Sequence, residues 1–287
     1  MGDLRVPFFI GNKYRKVFVM KNLLIAYTGN VCSSPFLGMF EYVEEFQMNT
    51  YENLDPYHIK NIFGEYNSDF LAERFLELHE HRLSKERRFL GISNPTGDKP
   101  VVLKWRPHKV GRSTKLATVL RENFIPFILV RKSVVEQGLK IVGNEIVFGT
   151  KWPQFRYTRQ LKDSFEITEE VGKEILKESN TLVNWIKEIK ETLEGFYKSP
   201  VPFVYAEDVF SPYVDVERFQ EVVESVLGEK ITINLPENFN PKTTALGSFT
   251  RKFQKRGVDM SKVKGLQEFM ESDEVKRMEE RYLKVVS

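Results

Sequence analysis

The feature that most constrains the fold is a set of four short apolar runs that do not alternate between apolar and polar residues. They cover residues 22–28, 101–105, 126–131 and 202–206, and they are rich in branched and aromatic side chains. Bounded runs of this kind predict β-strands. Because they do not alternate, we expect both faces of their sheet to be covered, as in a parallel sheet. Residues 5–20 predict a further strand.

Helical patterns fill the intervals between these runs. Apolar residues recur at helical spacing over residues 36–46, 69–88, 113–123, 133–142, 168–193, 215–227 and 265–286. Ser113 and Ser133 are suited to N-caps, and Gly228 to a left-handed helix terminator. Strands that alternate with helices predict an α/β chain, a three-layer sandwich around a central, mostly parallel sheet. We expect a single domain over residues 1–287, with helical insertions at about 41–95 and 160–198.

The residues that follow each run form the predicted site, because parallel sheets bind ligands outside the carboxyl ends of their strands. The turn TGNVCSSP follows the first run and consists of Thr28, Gly29, Asn30, Val31, Cys32, Ser33, Ser34 and Pro35. A turn that enters a helix presents N–H donors at the positive end of the helix dipole, and it therefore suits an anion. This turn lacks the lysine and the second glycine of a Walker P-loop. An N-capped helix without a ligand is the alternative.

Positive charge is concentrated in the middle of the chain. Residues 101–160 contain 12 Lys/Arg and 3 Glu, a net charge of +9, whereas residues 41–80 contain 10 acidic and 2 basic residues, a net charge of −8. Arg131 ends the third run, and the planar fork of arginine suits bidentate phosphate binding. A surface arginine after a core strand is the alternative. The turn and Arg131 together would hold the two ends of a nucleotide that carries phosphates at both its 5′ and 3′ positions.

Two segments carry a resemblance to a known family, the PAPS-dependent sulfotransferases. The segment VLKWRPHKVGRSTKLATVLRENFIPFILVRKSVVEQGLKIV covers residues 102–142. From Leu103 to Ile141 it resembles the family pattern K-L-x(n)-L-x-x-x-F-P-x-x-F-I-x-L-V-R-R-D-V-V-x-Q-A-V-S. The segment VPFVYAEDVFSPYVDVERFQEVVESVLG resembles the later strand, the Y-E-D-L element and the helix that ends in L-G. The resemblance implies a P-loop NTPase-like fold that binds the sulfonate donor PAPS and its product PAP, with no metal.

The family's R-S-G-[ST]-x-x-L turn, which binds the 5′-phosphosulfate, is matched only in part. Ser34 stands at the Ser/Thr position and Leu37 at the leucine. Val31 stands at the basic position and Ser33 at the glycine. The chain therefore lacks the cation that normally stabilises the sulfonate during transfer.

The resemblance implies a role for other cations in the donor site. Lys104 and Arg106 are the predicted substitutes for the missing cation. In the 3′-phosphate site, Arg131 matches the family arginine, and Lys140 stands where serine is usual. A lysine reaches a phosphate as a point charge rather than as a directed donor.

The family also uses a base and a basic C-terminal segment. His108, which resembles the histidine of a K-T-H segment, is the first candidate for the base, and Glu41 is the second. The segment Gly247–Gly265 has six Lys/Arg and one Asp, and Arg251, Lys252 and Arg256 are predicted to close over the 3′-phosphate. A solvated loop is the alternative for this segment.

The predicted function is transfer of a sulfonate from PAPS to a hydroxyl or amine of a carbohydrate, lipid or small molecule. Its first alternative is a catalytically decayed sulfotransferase fold that binds an anionic glycan or a protein. The second is a nucleic-acid binder that uses the basic face of residues 101–160, which we disfavour because no nucleic-acid motif appears. Cys32 is the only cysteine and no apolar run spans a bilayer, so a cytoplasmic protein is expected.

Overall fold

The fold is built around a parallel sheet. A computed structural model describes residues 21–29, 33–48, 67–79, 99–107, 110, 113–151, 160–210, 213–237, 239–240 and 258–287. The strands within these residues are β1 (Asn22–Tyr27), β2 (Gln47–Met48), β3 (Val101–Trp105), β4 (Phe124–Val130) and β5 (Phe203–Tyr205). Their order is β2-β3-β1-β4-β5, and every neighbouring pair is parallel. The predicted α/β class with a parallel sheet is confirmed, and the strand predicted within residues 5–20 lies outside the described residues.

Nine α-helices lie within the described residues. They are α1 (Ser33–Gly38), α2 (Ser68–His79), α3 (Thr114–Asn123), α4 (Val134–Phe148), α5 (Glu169–Tyr197), α6 (Ala206–Val209), α7 (Val216–Leu227), α8 (Leu266–Met270) and α9 (Asp273–Val286). Short 3₁₀ turns cover Met39–Tyr42 and Met260–Lys262. Helix α2 falls in the first predicted insertion and α5 in the second.

Side-chain caps define where the main helices begin. The side chains of Ser113, Ser133 and Asp215 accept hydrogen bonds from backbone N–H groups in the first turns of α3, α4 and α7. Helix α7 ends at Gly228 with φ 72°, the left-handed conformation that glycine adopts at little cost. The prediction of one continuous helix over residues 265–286 is wrong, because two helices cover this range. Helix α8 ends at Met270, and Ser272 caps the start of a new helix, α9.

Each face of the sheet is covered by its own hydrophobic core. Leu24 and Ala26 of β1 face a first core that includes residues of α2, α3, α4, α5 and α9. Leu23 and Ile25 face a second core that includes residues of α1, α6 and α7. Because side chains alternate along a strand, both faces are buried, and the chain is consistent with a three-layer α/β fold.

The connections leave a crevice on each side of β1 at its carboxyl end. The chain leaves β1 toward the second core, where Phe36 of α1 is buried. It leaves both neighbours of β1 toward the first core, through Leu116 of α3 after β3 and Val134 of α4 after β4. Ligands of open α/β sheets bind at such switch points, where adjacent strands send the chain to opposite faces.

Helices α4 and α5 approach each other closely. A Cβ atom added to Gly138 of α4 would lie 2.3 Å from Oγ of Ser179 and 3.0 Å from the carbonyl oxygen of Ile175. Ser179 is fully buried, and its hydroxyl donates to the Ile175 carbonyl at 2.7 Å. Only a glycine fits this contact without displacing its neighbours.

Candidate anion-binding site at the carboxyl ends of the strands

The turn after β1 is joined to helix α4 by a buried glutamine. Nε2 of Gln137 donates to Oγ1 of Thr28 at 3.0 Å and to the carbonyl oxygen of Gly29. Gln137 is fully buried and Thr28 is 3% exposed. The segments predicted to bind the two ends of a nucleotide are therefore in direct contact. Gln137 matches the glutamine in the V-V-x-Q part of the family pattern, but it was not among the predicted site residues.

The structure describes only part of the rest of the predicted turn. Backbone atoms of Ser33, Ser34 and Pro35 form the first turn of α1, and their side chains lie outside the description. Asn30, Val31 and Cys32 lie outside the described residues altogether. Their predicted role in anion binding stays a prediction.

Two cations at the carboxyl end of β3, Lys104 in the strand and Arg106 directly after it, lie against the aromatic ring that ends β1. Nζ of Lys104 is 5.3 Å from the centroid of the Tyr27 ring, and Cζ of Arg106 is 4.9 Å from it. Tyr27 is 2% exposed and Lys104 is 3% exposed. Cations at this distance are attracted by the negative face of the ring. The ring therefore keeps both predicted substitutes for the missing cation next to the crevice between β1 and β3.

Arg131 directly follows β4, the strand that lies on the other side of β1. The residue is 9% exposed, so its guanidinium does not extend into solvent. Its Nε atom is 2.8 Å from Oε1 of Glu207, which follows β5. The Nε–H group itself makes no hydrogen bond, because the carboxylate oxygen lies off the N–H direction. The pair is a contact between charges that leaves a buried donor without an acceptor.

A second ion pair runs beside the first. Nζ of Lys132 lies 2.7 Å from Oδ1 of Asp208, and this hydrogen bond raises the pKa of the lysine. The backbone N–H of Lys132 donates to Oε2 of Glu207 at 3.0 Å. The consecutive residues Arg131 and Lys132 thus pair with the consecutive residues Glu207 and Asp208. These four residues follow β4 and β5, which is where the sequence predicted the site.

The C-terminal helix α9 supplies a carboxylate to the start of α4. Oε1 of Glu279 accepts from the Ser133 hydroxyl at 2.5 Å and from the N–H of Val135 at 3.0 Å. Oε2 accepts from the N–H of Val134 at 3.3 Å. An acidic group is favourable here because helix N-termini present unpaired N–H donors and positive charge. No sequence signal connects residues this far apart.

Tyr282 fixes the backbone of Arg131 from the same helix. The Tyr282 hydroxyl donates to the carbonyl oxygen of Arg131, and the tyrosine is fully buried. Burial raises the pKa of this hydroxyl, so it remains a protonated donor at neutral pH. Helix α9 thus contacts the Arg131 segment through two adjacent turns.

Glu41 lies on a segment that leads away from the strand ends. It is exposed, within the 3₁₀ turn after α1. The carbonyl oxygen of Tyr42 accepts from the N–H of Asn234 at 2.8 Å, and Gln47 pairs with Val101 at the start of β3. The chain therefore reaches the amino end of the sheet just after Glu41, which makes it the weaker of the two candidates for the base.

Of the other five predicted site residues, the structure describes only one. Lys140 is half-buried in the second turn of α4. His108, Arg251, Lys252 and Arg256 lie outside the described residues. Their proposed roles as base and as 3′-phosphate ligands stay predictions.

A cavity elsewhere in the described part of the chain does not coincide with the predicted site. A cavity of about 800 Å³ lies along residues 260–272 and contains none of the predicted site residues. Within the described ranges, no three His, Cys, Asp or Glu residues are grouped as metal ligands would be. In the same ranges, no helix combines the length and apolar character needed to cross a membrane.

Comparison of the chain with protein-family models, with curated proteins and with solved structures found no significant match.

Proposed function

We propose that this protein is a PAPS-dependent sulfotransferase with a P-loop-like nucleoside-phosphate-binding fold. It would transfer the sulfonate of PAPS to a hydroxyl or amine of a carbohydrate, lipid or small molecule. One observation carries the proposal: cations from two different strands flank the carboxyl end of β1, with Lys104 and Arg106 on one side and Arg131 on the other. A donor with phosphates at both ends of its adenosine needs such a pair of sites.

The buried guanidinium of Arg131 supports an anionic ligand at the β4 side. Its contact with Glu207 is at Nε, so the donors on its two Nη atoms remain for a phosphate. The family resemblance assigns this arginine to the 3′-phosphate. Charge-assisted bonds of this kind contribute about 1.5–3 kcal/mol each.

Lys104 and Arg106 would act on the 5′ end of the donor. In the reaction, the acceptor oxygen or nitrogen bonds to sulfur while the bond from sulfur to the 5′-phosphate oxygen breaks. The electron pair of that bond leaves with PAP, and the acceptor proton passes to a base, for which His108 is the first candidate. Negative charge therefore grows on the bridging oxygen, where cations held in advance contribute most.

Binding of PAP tests the donor site directly. We expect isothermal titration to detect PAP binding by the native protein and Arg131→Lys to weaken it by about 10- to 150-fold, because lysine keeps the charge and loses the fork. The control is Arg277→Lys, on an arginine that is 69% exposed on α9, and its affinity should match the native value. No binding by the native protein at millimolar PAP would refute the proposal.

Turnover tests the role of the β3 cations. Release of PAP from PAPS can be followed with panels of carbohydrate, lipid and small-molecule acceptors. Lys104→Met should lower turnover by about 10²- to 10³-fold, the usual effect of removing one group that stabilises a transition state. Affinity for the unreacted donor PAPS should change by much less, because the charge on the bridging oxygen develops only as the bond to sulfur breaks. Equal losses in turnover and affinity would assign Lys104 to general binding.

A second candidate function is a decayed sulfotransferase fold that binds an anionic glycan or a protein. Internal carboxylates favour it, since Glu207 partly neutralises Arg131 and Glu279 occupies the N-terminus of α4. This candidate predicts no release of PAP from PAPS with any acceptor. Turnover above the uncatalysed rate would eliminate it.

A further inference from the structure

Glu207 holds Arg131 from one definite side. In the sheet order, β4 lies between β1 and β5. Glu207 belongs to the first turn after β5, and its Oε1 atom contacts Nε of Arg131 at 2.8 Å. The guanidinium is therefore held by its Nε edge from the β5 side, whereas the turn after β1 lies on the opposite side of β4.

The carboxylate of Glu207 is itself anchored. Its second oxygen, Oε2, accepts from the backbone N–H of Lys132 at 3.0 Å. Its side chain is 23% exposed, against 10% for that of Arg131. A carboxylate tied to the main chain of the neighbouring residue fixes the arginine more rigidly than a mobile surface partner would.

The pairing does not use the terminal donors of the fork. A guanidinium has five N–H groups, of which four are on the two Nη atoms. The contact with Glu207 is at Nε, and even that N–H is not directed at the oxygen. The carbonyl oxygen of Arg131 is held separately by the Tyr282 hydroxyl.

From this geometry we propose that Glu207 is a positioning residue, which orients the Arg131 fork toward the 3′-phosphate of the donor. The inference rests on the proposed function and adds a residue that the family resemblance did not assign to the site. Glu207 does not touch the ligand in this arrangement, and its contribution to binding passes through Arg131.

Glu207→Gln distinguishes positioning from simple electrostatics. The substitution keeps the size of the side chain and an oxygen for the Lys132 N–H, but it removes the charge that holds the guanidinium. Coulomb attraction alone predicts tighter binding of PAP, because a negative charge near a polyanion is lost. Positioning predicts weaker binding, by about 10- to 100-fold, as is typical when a group that orients a binding residue is removed.

Asp208→Asn is the matched control. Asp208 directly follows Glu207 in the sequence. It forms the second of the two adjacent ion pairs, in which it contacts Lys132 rather than Arg131. The control loses the same charge, so its PAP affinity should be unchanged or slightly higher. Glu207→Asp, which keeps the charge but withdraws it by one methylene, should weaken binding in the same direction as Glu207→Gln and serves if the glutamine variant fails to fold.

The Nε–H resonance of Arg131 gives a readout that needs no ligand. It is assigned in ¹⁵N spectra by its loss in Arg131→Lys, and it should shift and exchange faster in Glu207→Gln but not in Asp208→Asn. An unchanged resonance, or PAP binding by Glu207→Gln as tight as native, overturns the inference and leaves the proposed function intact. Absence of PAP binding by the native protein overturns both.

Discussion

The clearest energetic test of this fold is the contact between Glu279 and the start of α4. Its carboxylate accepts from the Ser133 hydroxyl and from the N–H groups of Val134 and Val135. Glu279→Gln keeps the shape but replaces one accepting oxygen with an NH₂ group. One of these donors then loses its acceptor, and the positive end of α4 loses its negative charge.

The magnitude follows from these two losses. Removing a charge from a helix N-terminus costs about 0.3–1 kcal/mol, and up to about 2 kcal/mol where the site is partly buried. A buried N–H without an acceptor costs about 1–3 kcal/mol, with the lower value appropriate here because Glu279 is half-buried and water can reach it. We expect a total of about 1–3 kcal/mol in the free energy of unfolding. That corresponds to about 2–4 °C in Tm for each kcal/mol.

Urea unfolding followed by circular dichroism measures this change. The control is Glu280→Gln, on the exposed neighbour of Glu279, which should lie within about 0.5 kcal/mol of native. Raising the salt concentration should shrink the difference between the two variants only partly, because screening acts most strongly on exposed charges. Equal midpoints for the two variants would refute the claim that α9 stabilises the start of α4.

Four further variants test three other contacts by the same unfolding measurement. Gly138→Ala should destabilise the fold by about 1–3 kcal/mol through the 2.3 Å contact with α5, whereas Gly195→Ala, with open space within 4 Å, should stabilise it by about 0.5–1 kcal/mol; shifts of the same sign would contradict this. Hydrogen bonds from Lys230 and Gln220 hold the pKa of Glu224 at about 2, below its ordinary 4.5, so its contribution is full above pH 4.5 and is lost as pH falls toward 2. Glu224→Gln should remove this part of the pH dependence, and an unchanged acid profile would exclude it. Gln137→Met should cost about 1–3 kcal/mol by leaving acceptors in the β1 turn unpaired, and a native-like midpoint would show that water replaces its amide.

Strand positions were largely predictable because a buried strand leaves a local trace in apolar content. The prediction over residues 101–105 is confirmed as β3. Strand β4 begins at Phe124, two residues before the predicted start at Pro126. The N–H of Ile128 donates to the carbonyl oxygen of Pro202. Because backbone N–H groups alternate in direction along a strand, the nitrogen of Pro126, two residues earlier, also points toward the β5 side. Because β5 pairs only from Phe203, the nitrogen of Pro126 meets no strand partner there, and the proline is tolerated inside β4.

Site contacts were less predictable because they depend on how distant helices dock. The end of a strand is a local signal, and it led to Lys104, Arg106 and Arg131. Glu279 and Tyr282 lie on an amphipathic helix whose sequence shows which face is apolar but not which helix terminus it meets. Polar residues of this kind become recognisable only when their partners are in place.

The two carboxylates near Arg131 separate the two candidate functions by the sign of their effects. In an enzyme that binds PAP, Glu207 orients the arginine, so its removal weakens PAP binding, while Glu279 supports the backbone of α4 and its removal mainly lowers stability. In a decayed fold, both carboxylates take the place of an anionic ligand, so removing either one should strengthen the binding of PAP. A fall in PAP affinity with Glu207→Gln, whatever the direction of change with Glu279→Gln, favours the enzyme. Affinities that both rise favour the decayed fold. In that case the Arg131 guanidinium or the N-terminus of α4 binds PAP in place of the carboxylate that was removed.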